Sequence, residues 1–268
     1  MTSQPPSGPP AGPVPPPPGP GPDPRRPRGG ARHGIALAVG AALVALVLAV
    51  VVVASLRGDG RGGPAAPPSL GGTRAAAAHA LASNVVLAPS DWGPGFGRAD
   101  PYEFDPADED VVLGNCEYGG RAARSGTLAA VQRVVLHPSS GLTGTSEVRV
   151  FTDDPTAKRY VAEVPDQIRR CPTQHGGKAL YTGVHETPPP EVPGLEEVVA
   201  EEGSQVTADD GTGVDNRYLV LTGRTGRTVL RTSAVAGAGQ EARIRRVATD
   251  ALLEMQRRLG PEHAAARR

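Results

Sequence analysis

Several things that catalysis or nucleic-acid binding would need are missing from this sequence. It has no Gly-x-Ser-x-Gly and no Ser-x-x-Lys, so the common serine-nucleophile signatures are absent. The six histidines (His33, His79, His137, His175, His185, His263) are scattered, with no His-Glu-x-x-His arrangement, and no glycine-rich loop with Lys and Ser/Thr is placed to cradle a phosphate. Net charge is zero, and lysine is almost absent. From residue 75 onward, 21 Lys and Arg face 26 Asp and Glu. An acidic domain with scattered charges does not suit a polyanion, which needs a concentrated basic face. Nucleic acid is therefore excluded as a partner. No catalytic set, cofactor or metal is expected.

Residues 1–32 hold little besides Pro, Gly and Arg, with 13 prolines in the first 28 positions. Such a segment cannot bury a core, and residues 1–33 are expected to form a disordered, Pro-rich cytoplasmic tail. Prolines 15–18 favour a polyproline II form, which would also suit an SH3-like groove. Residues 34–56 then run for 23 positions without a charged side chain. At about 1.5 Å per residue they make roughly 34 Å of helix, just over the thickness of a bilayer's hydrocarbon. A transmembrane helix is expected here, in contact with the lipid bilayer.

Arg25, Arg26, Arg28 and Arg32 precede the span, while Arg57 and Arg61 follow it around Asp59. The larger basic cluster should stay inside, which places the C-terminal domain outside the plasma membrane. A cleaved signal peptide is the rival reading, although the apolar stretch is longer than is usual for one. No cysteine directly follows the span, against a lipoprotein anchor. Residues 57–74 read as a flexible Gly/Pro/Arg stalk, residues 75–260 as one extracellular domain, and 261–268 as a short tail.

Cys116 and Cys171 are the only cysteines, and both fall in the outer domain. An even count outside the cell favours a disulfide over a metal pair or a catalytic thiol. Helices are expected over 75–87, over 154–170 with Asp154 as N-cap and Pro165 kinking or splitting it, and over 240–259, stopped by Gly260-Pro261. Strands are expected over 127–137, 146–152, 178–183, 195–202, 216–223 and 228–236, the last two joined by a hairpin at 223–226. Residues 88–115 read as a loop region. Consecutive strands with helices at the ends and one in the middle imply an α+β fold, an antiparallel sheet covered by helices.

The segment LAPSDWGPGF, then Cys116, then SEVRVFTDDPTAKRYVAEVPDQIRRC, then GVDNRYLVLTGRTGRTVL and a closing amphipathic helix resemble the PknH-type extracellular sensor domain family. The resemblance covers about residues 76–260. It implies an α+β domain with a cleft that binds an unidentified ligand at the cell surface, and it offers no catalytic residues to carry over. It transfers a disulfide onto Cys116 and Cys171. The chain departs from kinase-linked members in having two cysteines rather than four and no kinase domain.

Local site signals are sparse. Trp92 and Phe96, set among Gly93, Pro94, Gly95 and Gly97, are candidate ligand contacts on a loop, although either ring could instead plug the core edge. His175 and His185 flank a strand and could approach one site. The acids Asp100, Glu103, Asp105, Asp108, Glu109 and Asp110 lack the spacing and central Gly of a calcium loop; they, like Asp209, Asp210 and Asp215, read as solvated loop. The expected function is a membrane-anchored binding or sensor-like module for a small-molecule or cell-envelope ligand. The alternative is a structural or accessory surface protein that holds a membrane protein partner.

Overall fold

The computed structural model describes residues 70–105, 108–122, 124–176, 179–207 and 214–266. The tail, the expected span at 34–56 and nearly all of the stalk lie outside the described residues. Among the described residues no helix is long and apolar enough to cross a membrane.

Three helices and ten strands follow in order: α1 (Leu70–Val85), β1 (Gly97–Phe104), β2 (Asp108–Val112), β3 (Tyr118–Ala122), β4 (Thr127–His137) and β5 (Leu142–Phe151). Then come α2 (Asp154–Arg170), β6 (Thr173–Gly176), β7 (Ala179–Glu186), β8 (Glu197–Thr207), β9 (Val214–Thr225), β10 (Thr228–Gly237) and α3 (Glu241–Ala266). Eight strands pair antiparallel in the order β1-β4-β5-β10-β9-β8-β7-β6, while β2 and β3 form a separate hairpin. The fold is α+β, as the order of elements implies.

Alternation along the central strands decides which side chains meet which helix. On β10, Leu230, Ala234 and Ala236 point into the large core beneath α1 and α3, with Leu219 and Leu221 of β9 and Val148 and Val150 of β5. Thr232, on the same face, donates to the Ala248 carbonyl of α3 at 3.0 Å. The apolar stripe of α3 is the one read from the sequence: Ile244, Ala251, Leu252, Met255 and Leu259 are buried and Val247 half-buried. The opposite sheet face carries a smaller cluster in which Phe151 and Val229 pack on Ala157 and Val161 of α2. Three layers result, with the sheet in the middle.

Several boundaries differ from expectation. The loop expected over 88–115 contains a 3-10 turn, Pro89–Trp92, and both β1 and β2. Strand β1 is an edge strand with Pro101 inside it and a register shift between Arg98 and Glu103, so it lacks a clean period. The N-cap of α2 is Asp153, not Asp154: its carboxylate accepts from the Thr156 amide at 2.8 Å, which leaves Asp154 and Pro155 as the first helical residues. That bond, with the Thr156 side chain, holds the Asp153 carboxyl below its usual pKa.

Pro165 does not split α2, because contacts with the sheet hold both halves of the helix in place. The helix α3 continues through Gly260 and Pro261 to Ala266; a single missing donor does not end a helix whose preceding turns are packed. The β9–β10 hairpin closes later than expected, at the Thr225–Thr228 pair, with Gly226 taking the positive φ of 51° that its turn requires.

Candidate functional site

The sheet face under α2 is where polar chemistry collects. A covered sheet should be apolar on both faces, yet this one buries Glu147 and Arg149 of β5, Glu201 of β8 and Thr222 of β9. These residues, with Arg231 of β10, occupy the alternate strand positions to those filling the α1/α3 core, so the same alternation that builds one face places charge on the other. A buried charge is tolerated only with partners. Glu147 has one in Arg149, its ion-pair and hydrogen-bond neighbour.

Helix α2 and the β2–β3 hairpin rise over this face and leave a cleft between them. It is an open cleft with a cavity of about 60 Å³, and Tyr118, Arg124, Tyr160, Glu201 and Arg231 are among its lining residues. The disulfide between Cys116 and Cys171 joins the hairpin's turn to the residue that caps α2. Beside it, the His175 amide donates to the Cys116 carbonyl at 2.9 Å. Cys116 adopts a left-handed φ of 64°, uncommon for a residue with a side chain. The cleft wall is thus covalently fixed at one end.

Tyr118, which lines the cleft, begins a chain of tyrosine ring contacts. Tyr118 lies 5.1 Å from Tyr181, and Tyr181 meets Tyr218 edge-on at 5.7 Å. Tyr218 can reach across β8 because residue 203 is glycine: a Cβ there would stand 2.8 Å from the tyrosine oxygen. That hydroxyl donates to Oε1 of Glu201 at 3.0 Å. Burial pushes the Glu201 carboxyl well above its usual range, partly opposed by Arg231 and by the tyrosine bond. Burial, and then Glu201 itself, push the Tyr218 phenol up as well.

Arg231 is the open group of the set. Its side chain keeps 39% of its surface accessible, and it reaches Glu147 only at 3.9 Å, too long for a hydrogen bond. Burial acts against its charge, but Glu147, Tyr160 and Glu201 outweigh that and raise its pKa, so it is a permanent cation. Above it on the rim, Arg124 pairs with Glu163 of α2 and lies 5.4 Å over the Tyr160 ring.

The residues singled out from sequence lie elsewhere. Trp92 is buried in the α1/α3 core on the opposite sheet face, its ring against Gly144, where a Cβ would meet it at 2.7 Å. Phe96 stands 6.0 Å from Trp92 and packs edge-on to His137 at 5.1 Å. Neither lines the cleft. His175 pairs with Leu180 in the β6–β7 ladder, whereas His185, five positions along β7, lies 3.9 Å from Glu202; the two do not share a site. Of the acids, Glu103 pairs with Arg133 at 2.6 Å and Asp105 with His79 at 3.3 Å. Among the described residues no group of His, Cys, Asp or Glu is arranged to hold a metal ion.

Compared with known proteins, the chain is similar in structure to the extracellular domain of PknH from Mycobacterium tuberculosis. That crystal structure matches with a TM-score of 0.45 and 14% identity, covering 67% of this chain and 97% of that one. No protein-family model and no curated protein matches the sequence.

The sequence did carry a signal for the cleft, though an indirect one. Once α2 is read as amphipathic, the sheet must be covered on both faces. Charged residues at alternate positions in strands, such as Glu201 and Arg231, then have to lie beneath a helix rather than in water.

Proposed function

We propose that this chain is a membrane-anchored extracellular binding module that holds a small polar ligand in the cleft between α2, the β2–β3 hairpin and the sheet. The single observation behind this reading is the convergence of Glu201 and Arg231 on one concave surface, with the buried Tyr218 hydrogen-bonded to Glu201. Maintaining charge on a covered sheet face is costly to a fold, and pockets with a few convergent polar groups are where proteins bind small molecules. Anchoring through residues 34–56, with the domain outside, is part of the same proposal and rests on the uncharged span and its arginine flank.

The groups converging on the site are suited to binding a polar molecule. Tyr218, its phenol pushed up by burial and by Glu201, keeps its proton. The expected action is recognition.

The reading is tested by mass spectrometry of what stays bound to the full chain purified in detergent, compared with an Arg231→Gln chain of unchanged far-UV circular dichroism. A small molecule retained by the first and lost from the second supports it. Retention of a protein partner by both chains, with no small molecule on either, would favour the accessory role instead.

A further inference from the structure

The charges of the cleft do not cancel pairwise. Glu147 is bound to Arg149 and lies 3.9 Å from Arg231, and Arg124 is bound to Glu163; Glu201 and Arg231 are the groups of the set with no close charge-to-charge hydrogen bond. Both line the cleft, yet no ion pair joins them. Arg231 makes no hydrogen bond to any described residue, and Glu201 uses one oxygen, Oε1, for Tyr218 while Oε2 has no partner among the described residues. Glu201 is only 6% exposed, and burial raises its carboxyl pKa, so a cation placed at Oε2 would favour the ionised form. The oxygen is not sealed away, however: Glu201 lines the cleft, where a ligand could reach it.

Register fixes the separation of the two groups. Glu201 pairs with Val220 and Arg231 with Thr222 on β9, the strand that lies between them. Two strand spacings of about 4.8 Å and two residues along the strand place their backbones roughly 12 Å apart. Both side chains line the cleft, so the gap between them is the space that a small molecule seated there would span. The gap offers a planar five-donor fork at one end and a carboxyl oxygen at the other. The fork matches a carboxylate in two parallel hydrogen bonds.

Building on the binding-module reading, we infer that the cleft takes a small zwitterion of the α-amino-acid type, its carboxylate on Arg231 and its ammonium on Oε2 of Glu201. The ligand's ammonium supplies the cation that Glu201 lacks, and its carboxylate supplies the hydrogen-bonding anion that Arg231 lacks. Tyr118, which lines the cleft, adds aromatic surface for the ammonium.

The test uses the full chain in detergent micelles and titration calorimetry with the common α-amino acids and D-alanine. At least one should bind saturably at one per chain. Its N-acetyl derivative, lacking the ammonium, and its amide, lacking the carboxylate, should each bind at least tenfold more weakly. Glu201→Gln should abolish the preference over the N-acetyl form, and Arg231→Gln the preference over the amide, while Arg231→Lys keeps part of it. These preferences would not move if the two residues only supported the fold, and unchanged melting of the Lys variant checks that it folds.

No binding by any amino acid, or equal binding of parent and N-acetyl forms, overturns the inference. A non-zwitterionic compound co-purifying with the native chain and lost in Arg231→Gln would sink the zwitterion while leaving the cleft reading intact. If nothing is retained and nothing binds, both fall.

Discussion

Replacing Cys116 with Ser and Cys171 with Ala removes the bond that ties the hairpin turn to the end of α2. The bridge closes a 55-residue loop, and in the chain-entropy account a loop of that length stabilises the fold by about 4 kcal/mol. For a domain of this size, each kcal/mol moves the melting temperature by about 2–4 °C, so a loss of roughly 8–16 °C is expected. The loss should also have a location. The hairpin β2–β3 lies outside the eight-stranded sheet, and near its turn it is held by the His175–Cys116 backbone bond and by the Glu117–His175 bridge. Its amides should therefore exchange with solvent much faster in the double variant, while those of β5, β9 and β10 slow or quicken only with global stability. Thermal melting of the full chain in oxidising buffer reads the first effect and hydrogen exchange the second. A melting shift below about 3 °C would refute the loop-entropy argument, since it would correspond to less than about 1.5 kcal/mol. Uniform exchange across hairpin and sheet would refute the localised role.

Gly144→Ala should cost about 1–3 kcal/mol through overpacking, because its Cβ would stand 2.7 Å from the Trp92 ring; an unchanged urea midpoint would mean the indole moves aside freely. Arg257, with Arg258, holds the Glu254 carboxyl down to about 2, against an ordinary 4.5. A lowered carboxyl stabilises the fold above its ordinary value and loses that contribution as pH falls from about 4.5 towards 2. Glu254→Gln should flatten the melting-temperature profile over that window, and parallel profiles for the two chains would refute the assignment.

Periodicity made some elements legible and left others hidden. The stripe Ile244, Ala251, Leu252, Met255 and Leu259 announces α3, and alternation around Val148 and Val150 announces β5, because in both a buried face repeats with the element's own period. Strand β1 is invisible for the opposite reason: it is an edge strand carrying Arg98, Asp100 and Glu103, with Pro101 inside it. Strands β2 and β3, whose pairs include Asp108–Ala122 and Asp110–Gly120, have no apolar face to show. The cleft was harder still to see. Glu201, Tyr218 and Arg231 sit in three strands, each in a stretch that reads as an ordinary half-solvated strand, and only the position of α2 turns their outward direction into burial. Trp92 attracted notice because it is the sole tryptophan on a Gly/Pro loop, but scarcity is a property of composition and not of place, and its ring lies in the core.

The strand order divides the sheet into two meanders, β1-β4-β5 and β10 back to β6, that meet along a single ladder between β5 and β10. That seam pairs positions about 80 apart in the chain, such as Val150 with Thr228, and everything between them, α2 included, must be threaded past before it can zip. Closing so long a loop is paid in entropy before any contact rewards it. Each half can form hairpins early and alone, whereas Arg231 comes alongside Glu147 only when the seam shuts. Glu201, Tyr218 and Arg231 all belong to the second half, so they can come together before the seam shuts, and Glu147 with Arg149 joins them only afterwards.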